Sequence, residues 1–70
     1  MNVVGPRVKA LRKDQGLKQS QLVAKCNLIG WNISRGTLAK IESKVRRVTD
    51  GEVVLLAKAL GVEIAELYEE

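Results

Sequence analysis

The sequence predicts an all-α domain, and three observations support this prediction. Apolar residues recur at intervals of three and four along the chain, as they do on one face of a helix. The strict alternation of a half-buried strand is absent, and the aromatic residues are limited to Trp31 and Tyr68. Glycine, proline and helix-capping residues divide the 70 residues into segments of helical length. We therefore expect one domain over 1–70, with a core of about 5–68.

The first helix is expected over about 6–15 and the second over about 19–26. Pro6 suits a first helical position because its missing N–H would have no partner there, and Gly16 suits a left-handed helix end. The start of the second helix is weakly specified, since Lys18 has no side-chain acceptor. The inward residues are Val4, Val8 and Leu11 in the first helix and Leu22, Val23 and Cys26 in the second.

The connection 27–33 combines turn formers with apolar residues. The turn formers are Asn27, Gly30 and Asn32, and the apolar residues are Leu28, Ile29, Trp31 and Ile33. Because a solvated loop is rarely this apolar, we expect a packed connection that extends the core. Trp31 is expected to pack on the second or third helix, and the alternative is an aromatic side chain that faces DNA or a partner.

The third helix should begin after Ser34, a good N-cap, and end near Ser43 or Lys44. At about 100° per residue, its apolar face comprises Leu38, Ile41 and Val45. The opposite face comprises Gly36, Lys40 and Ser43. Glu42 falls on the flank of the apolar face.

Thr49 and Glu52 have the spacing of a capping box, which predicts the start of a fourth helix that Gly61 ends. Its apolar residues are Val53, Leu55, Leu56, Ala57, Ala59 and Leu60, so it should be the central element of the core. A short fifth helix is expected over about 64–69. The apolar residues in this region are Val62, Ile64, Leu67 and Tyr68. They could form a homodimer contact or cap the core of the monomer, and both roles remain open.

The composition argues against catalysis, metal binding and secretion. With one cysteine and no histidine, the chain has neither an internal disulfide nor a cluster suited to zinc. Its serines lack a histidine to activate them, and Cys26 occupies an apolar position typical of a buried side chain. The longest apolar run, Val53–Ala57, is too short to span a membrane, and no signal-peptide pattern opens the chain. We expect a cytoplasmic, non-enzymatic domain without metal, cofactor or membrane partner.

Positive charge is concentrated in the first two thirds of the chain. Residues 1–47 hold eleven of the 12 basic residues and two acidic ones, a net charge of +9, whereas residues 48–70 carry a net charge of −5. This segregation is typical of a face that binds a polyanion, although basic helices can also serve only solubility. A basic outer face on the third helix would fit the major groove of DNA, which is about 12 Å wide.

Three segments carry a resemblance to a known family: Leu22-Val23-Ala24-Lys25, the run from Ser34 to Ser43, and Leu56-Ala57-Lys58-Ala59-Leu60-Gly61-Val62. In this order they resemble the Cro and phage-repressor (XRE-like) helix-turn-helix family. The resemblance implies a compact five-helix repressor-like domain whose second and third helices form the helix-turn-helix. The connection 27–33 is longer than the turn usual in that family.

The resemblance also implies roles for individual residues. The base-contacting positions are Arg35, Gly36 and Lys40, with Thr37 as a further candidate. The phosphate-contacting positions are Gln19, Lys44, Arg46 and Arg47, and Lys18 adds a charge near the DNA backbone. Arg12 and Glu42 match a semi-buried ion pair between the first and third helices. Taken alone, Arg35 and Lys40 could be ordinary solvated charges, and Arg46 and Arg47 could only balance the helix dipole.

These inferences predict a sequence-specific regulator of transcription that binds double-stranded DNA and represses by occupying an operator. A domain of this size reads few base pairs, so a homodimer on a two-fold operator is expected. It would lie in the cytoplasm, associated with the nucleoid. The alternative is a protein-interaction module of the same fold, an antitoxin-like or anti-repressor partner that uses its acidic C-terminal end.

Overall fold

The computed structural model describes residues 4–68, which form four α-helices and a terminal 3₁₀ helix. Their bounds are α1 Val4–Asp14, α2 Gln19–Leu28, α3 Arg35–Glu42, α4 Asp50–Leu60 and the 3₁₀ helix Ile64–Tyr68. The all-α prediction is confirmed, and no strand occurs within this range. The fifth helix differs in type because it is a 3₁₀ helix, and its predicted end, Glu69, lies outside the described residues. No helix between residues 4 and 68 combines the length and hydropathy needed to cross a bilayer.

The ends of the helices follow the local chemistry of the sequence. Ser34 Oγ accepts a hydrogen bond from the Thr37 N–H at the start of α3. The predicted capping box of α4 is present, since Glu52 N–H donates to Thr49 Oγ1 and Thr49 N–H donates to Glu52 Oε1. Gly61 adopts the left-handed conformation that ends α4, with φ 68°.

Helix α2 starts without a capping oxygen, as expected from Lys18. Gln21 supplies the half of a capping box that Lys18 cannot, since its side-chain Oε1 accepts the Lys18 N–H at 2.7 Å. The helix continues to Leu28, two residues further than predicted, and Gly30 then takes a φ of 90°. This longer α2 is one reason why the connection to α3 differs from the prediction.

The core lies between the four α-helices and the 3₁₀ helix. Its fully buried side chains are Val8, Leu22, Cys26, Leu38, Ile41, Leu56 and Leu67. Helix α4 contributes five buried apolar residues: Val53, Leu56, Ala57, Ala59 and Leu60. Burial raises the pKa of the Cys26 thiol above its usual value, because the thiolate would lose its hydration. Cys26 is thus a small core residue.

Gly5 permits the close approach of α1 to α3. A Cβ at Gly5 would collide with the backbone carbonyl oxygen of Ile41, and a backbone atom cannot turn aside as a flexible side chain can. The glycine therefore lets the first turn of α1 lie directly against the C-terminal end of α3.

Two predictions about apolar residues were wrong. Leu28 is 85% exposed and Ile29 is 40% exposed, so they do not extend the core, whereas Trp31 and Ile33 are half-buried against it. Leu28 lies on the outer side of the lengthened α2, two residues beyond the inward Cys26. Val45 is 74% exposed because α3 ends at Glu42, and the helical spacing that aligned Val45 with Leu38 no longer applies.

The apolar residues near the C-terminus divide between the core and the surface. Leu67 is fully buried and Val62 is half-buried against the core, so Leu67 cannot belong to a contact between two copies of the folded chain. Ile64 and Tyr68 are 44% and 49% exposed. The predicted dimer patch is therefore reduced to these two side chains.

Candidate nucleic-acid interface

Helix α3 presents a polar and basic surface to solvent. Its inward side is held by the buried Leu38 and Ile41, and the opposite side leaves Arg35, Gly36 and Lys40 exposed. Within residues 4–68, no carboxylate forms an ion pair with Arg35 or Lys40. The surface predicted to enter the groove is therefore not covered by the described part of the chain.

Thr37 is less available than the resemblance implies. Its side chain is half-buried, and Thr37 Oγ1 lies 3.2 Å from Ser34 Oγ, which also accepts the Thr37 N–H at 3.1 Å. The hydroxyl thus takes part in the N-terminal cap of α3. This cap fixes the first turn of α3, from which Arg35 and Gly36 project.

The fold itself does not require a glycine at position 36. A Cβ on Gly36 would meet only Ser34 Oγ, at 3.7 Å, which is an ordinary van der Waals distance. Glycine lowers helix stability relative to alanine, by up to about 1 kcal/mol in a helix interior. No contact within the chain therefore explains why position 36 is a glycine, whereas the contact with Ile41 explains Gly5.

A buried ion pair connects α1 to α3. Arg12 Nε lies 2.7 Å from Glu42 Oε2, and Arg12 Nη2 donates to Glu42 Oε1 at 3.0 Å. Arg12 Nη1 donates to the carbonyl oxygen of Leu17 at 2.8 Å, which links the pair to the turn before α2. The two side chains are only 9% and 3% exposed. The pair therefore joins α1 to α3 through buried hydrogen bonds in addition to their apolar contacts.

Gln19 belongs to the same network, a connection that sequence reasoning missed. Gln19 Nε2 donates to Glu42 Oε1 at 3.1 Å, so the first residue of α2 is joined to the last residue of α3. One amide N–H of Gln19 is used in this bond. The carboxylate of Glu42 thereby ties three helices together.

A second ion pair joins the loop after α3 to α4, and it was not predicted from the sequence. Arg46 donates from Nη1 to Glu52 Oε1 at 2.9 Å and from Nη2 to Glu52 Oε2 at 2.6 Å. These hydrogen bonds lower the pKa of the Glu52 carboxyl and raise the pKa of Arg46. Only the capping role of Glu52 was evident from the spacing. A loop arginine six residues before a helical glutamate gives no periodic signal.

The remaining predicted phosphate contacts are exposed. Lys18 precedes α2, and Lys44 and Arg47 lie in the loop that follows α3. Lys44 has a φ of 69°, the left-handed conformation that L-residues adopt at a cost. The exposed cations therefore flank α3 and the start of α2. Among residues 4–68, no three histidine, cysteine or acidic side chains are grouped as metal ligands.

Comparisons with known proteins agree with this architecture. The family model described as "Helix-turn-helix" matches residues 8–67. The chain is also 37% identical over 67 residues to the immunity repressor protein of Bacillus phage phi105, an alignment that covers 96% of this chain and 43% of that relative. No solved structure matches the chain at a significant level. The chain therefore belongs to the Cro/C1-type helix-turn-helix family of DNA-binding regulators.

Proposed function

We propose that this chain binds double-stranded DNA in a sequence-specific manner and represses transcription by occupying an operator. The observation that carries the proposal is the exposed outer side of α3, held in a defined orientation by the buried network around Glu42. A helix with this exposure and charge fits the major groove. Such a regulator acts where the DNA is, in the cytoplasm and on the nucleoid.

Arg35 and Lys40 supply the sequence preference in this proposal. An arginine can donate two hydrogen bonds to the O6 and N7 atoms of guanine, and lysine can donate to the same acceptors. Gly36 lies beside Arg35 and allows the backbone of α3 to approach the base edges. Thr37 contributes less, since its hydroxyl is engaged with Ser34.

Phosphate contacts supply most of the affinity. Three exposed cations are suited to these contacts: Lys18, which precedes α2, and Lys44 and Arg47, which follow α3. Gln19 uses one amide N–H to bond Glu42, so its second amide N–H can donate to a phosphate oxygen. Each phosphate that a cation neutralises releases counterions and contributes about −0.9 to the slope of log affinity against log salt concentration. Binding should therefore weaken steeply as salt increases.

Repression by operator occupancy is supported by the similarity to the phage immunity repressor. The chain spans 43% of the length of that relative, so the parallel concerns only the part of the relative that aligns with this chain. Two copies on a two-fold operator would read half-sites about one helical turn apart. Ile64 and Tyr68 are the exposed apolar side chains that remain from the predicted dimer patch.

Selection of bound sequences from a random duplex pool tests this function. The wild-type chain should enrich a defined motif, and Arg35→Ala or Lys40→Ala should lower the preference for that motif over mixed-sequence DNA by about 1–3 kcal/mol per lost base contact. Lys58→Ala is the matched control, because it removes an exposed positive charge from α4 and should leave the preference intact. If Arg35→Ala and Lys40→Ala keep the wild-type preference, the recognition role of α3 is wrong and the protein-interaction alternative gains support.

A further inference from the structure

We infer that Arg46 is a positioning residue, which holds the loop between α3 and α4 in its DNA-binding shape and makes no phosphate contact of its own. The inference rests on the proposed function, and it reassigns a residue that the family resemblance places among the phosphate contacts. Its basis is the set of bonds that the guanidinium of Arg46 already makes within the chain.

The planar guanidinium of Arg46 forms a bidentate pair with the carboxylate of Glu52. Both terminal nitrogens bond the two oxygens of Glu52, at 2.9 and 2.6 Å, and Nη1 also donates to the carbonyl oxygen of Arg47 at 3.1 Å. A bidentate pair of this kind is among the stronger hydrogen-bonded arrangements in proteins. To reach a phosphate, Arg46 would have to leave an acceptor of the same geometry and charge type. The gain from such an exchange is small.

The partner of Arg46 is itself fixed. Glu52 Oε1 accepts the Thr49 N–H, and Glu52 N–H donates to Thr49 Oγ1, so the carboxylate is part of the N-terminal cap of α4. The side chain of Glu52 is 16% exposed, against 36% for Arg46. Arg46 therefore anchors the loop to a rigid helix end.

The backbone of the same loop is anchored to α3. The N–H groups of Val45 and Arg46 both donate to the carbonyl oxygen of Lys40, at 2.9 and 3.1 Å. The side chain of Arg46 completes the connection by joining this segment to α4. Lys44 and Arg47 lie on either side of this double anchor and are exposed. These two cations are the ones that the loop presents to phosphates.

Without the anchor, the loop would have to become ordered when DNA binds. Ordering the backbone of one residue costs about 1–2 kcal/mol, which corresponds to roughly a tenfold loss of affinity. The phosphate contacts of Lys44 and Arg47 would still form in the complex. Loss of Arg46 should thus weaken binding without changing the number of phosphates neutralised.

Charge-conserving substitutions separate positioning from phosphate contact. A lysine can replace an arginine at a phosphate as a point charge, but it cannot reproduce a bidentate fork. The probe is a short mixed-sequence duplex, titrated at several salt concentrations with wild type, Arg46→Lys, Arg47→Lys, Arg46→Ala and Arg47→Ala. Thermal melting verifies that each variant is folded, and amide exchange of Val45 and Arg46 reports the order of the loop without DNA.

We expect Arg46→Lys to accelerate exchange in the loop and to lower affinity about tenfold, while Arg47→Lys binds like wild type. Arg47→Ala should reduce the magnitude of the salt slope by about 0.9, and Arg46→Ala should leave the slope unchanged. The inference is overturned if Arg46→Lys binds like wild type or if Arg46→Ala reduces the slope as Arg47→Ala does. Absence of salt-dependent binding by the wild-type chain would instead defeat the proposed function.

Discussion

Two glycines occupy the same position in two helices, with different consequences for function. Gly36 is the second residue of α3 and Gly51 is the second residue of α4, and each follows a side-chain cap, from Ser34 and Thr49 respectively. A Cβ would meet no crowded neighbour at either position. Substitutions at Gly36 and Gly51 can therefore separate an effect on stability from an effect on DNA binding.

Replacing Gly36 with alanine should stabilise the fold and weaken DNA binding. Both Gly36→Ala and Gly51→Ala should raise stability by up to about 1 kcal/mol, because alanine is the better helix former. Only Gly36→Ala should lower affinity for the selected duplex, since its methyl group would stand between α3 and the base edges. Thermal melts and binding titrations of the two variants test this. Equal affinities for the two variants would show that Gly36 is not a point of close approach.

At the scale of elements, one carboxylate joins α3 to two other helices. Glu42 accepts hydrogen bonds from Arg12 in α1 and from Gln19 in α2 while it ends α3. Arg12 also bonds the turn at Leu17. The helices that carry the candidate interface are thus connected by a polar network at their ends and by the apolar core at their centres.

Removing Glu42 should be costly. Glu42→Ala leaves the buried guanidinium of Arg12 without its partner, and such a loss typically costs about 3–5 kcal/mol. That is a large share of the stability of a domain of this size. Chemical denaturation measures the loss, with Glu63→Ala as the control because Glu63 is exposed and should change stability by less than about 0.5 kcal/mol. An unchanged melting temperature for Glu42→Ala would refute this role.

The ion pair between Arg46 and Glu52 should make the stability of the fold depend on pH. Hydrogen bonds from Arg46 lower the pKa of Glu52 in the folded chain, so the pair stabilises the fold above the unfolded pKa of about 4.3. This contribution is lost as the pH falls through the lowered pKa. The difference in melting temperature between wild type and Glu52→Gln should therefore be constant above about pH 6 and shrink below about pH 4. A difference that does not vary with pH would mean that the pair contributes nothing to stability.

At the scale of the whole molecule, local signals predicted the helices and long-range partners completed the site. The caps at Ser34 and Thr49 and the left-handed Gly61 depend on neighbouring residues, so the sequence was sufficient to place these helix ends. Val45 was misplaced because periodicity does not indicate where a helix stops.

The partners that were missed are distant in sequence or lie between elements. Gln19 and Glu42 are 23 residues apart, and their contact depends on how α2 packs on α3. Arg46 and Glu52 are closer, but one lies in a loop whose path no repeat specifies. Arg12 and Glu42 were anticipated because both fell on the flanks of apolar faces and because the family resemblance paired them.

Charge is unevenly distributed among the elements of the fold. The basic residues belong mainly to α1, α2, α3 and the following loop, whereas α4 and the residues after it are predominantly acidic. Helix α3 packs on α1 and α2, which are basic, whereas the 3₁₀ helix packs on α4 and on α1. A polyanion should therefore approach the α3 side of the molecule.

The most direct test of this orientation is a titration of the ¹⁵N-labelled chain with its selected duplex, followed by backbone amide chemical shifts. We predict that the largest shifts occur at Arg35, Gly36 and Lys40, with smaller shifts at Lys44 and Arg47. Residues of the 3₁₀ helix, Ile64–Tyr68, should shift little unless two copies meet there. Shifts confined to the C-terminal end, with the amides of α3 unmoved, would contradict the claim that the exposed side of α3 reads DNA.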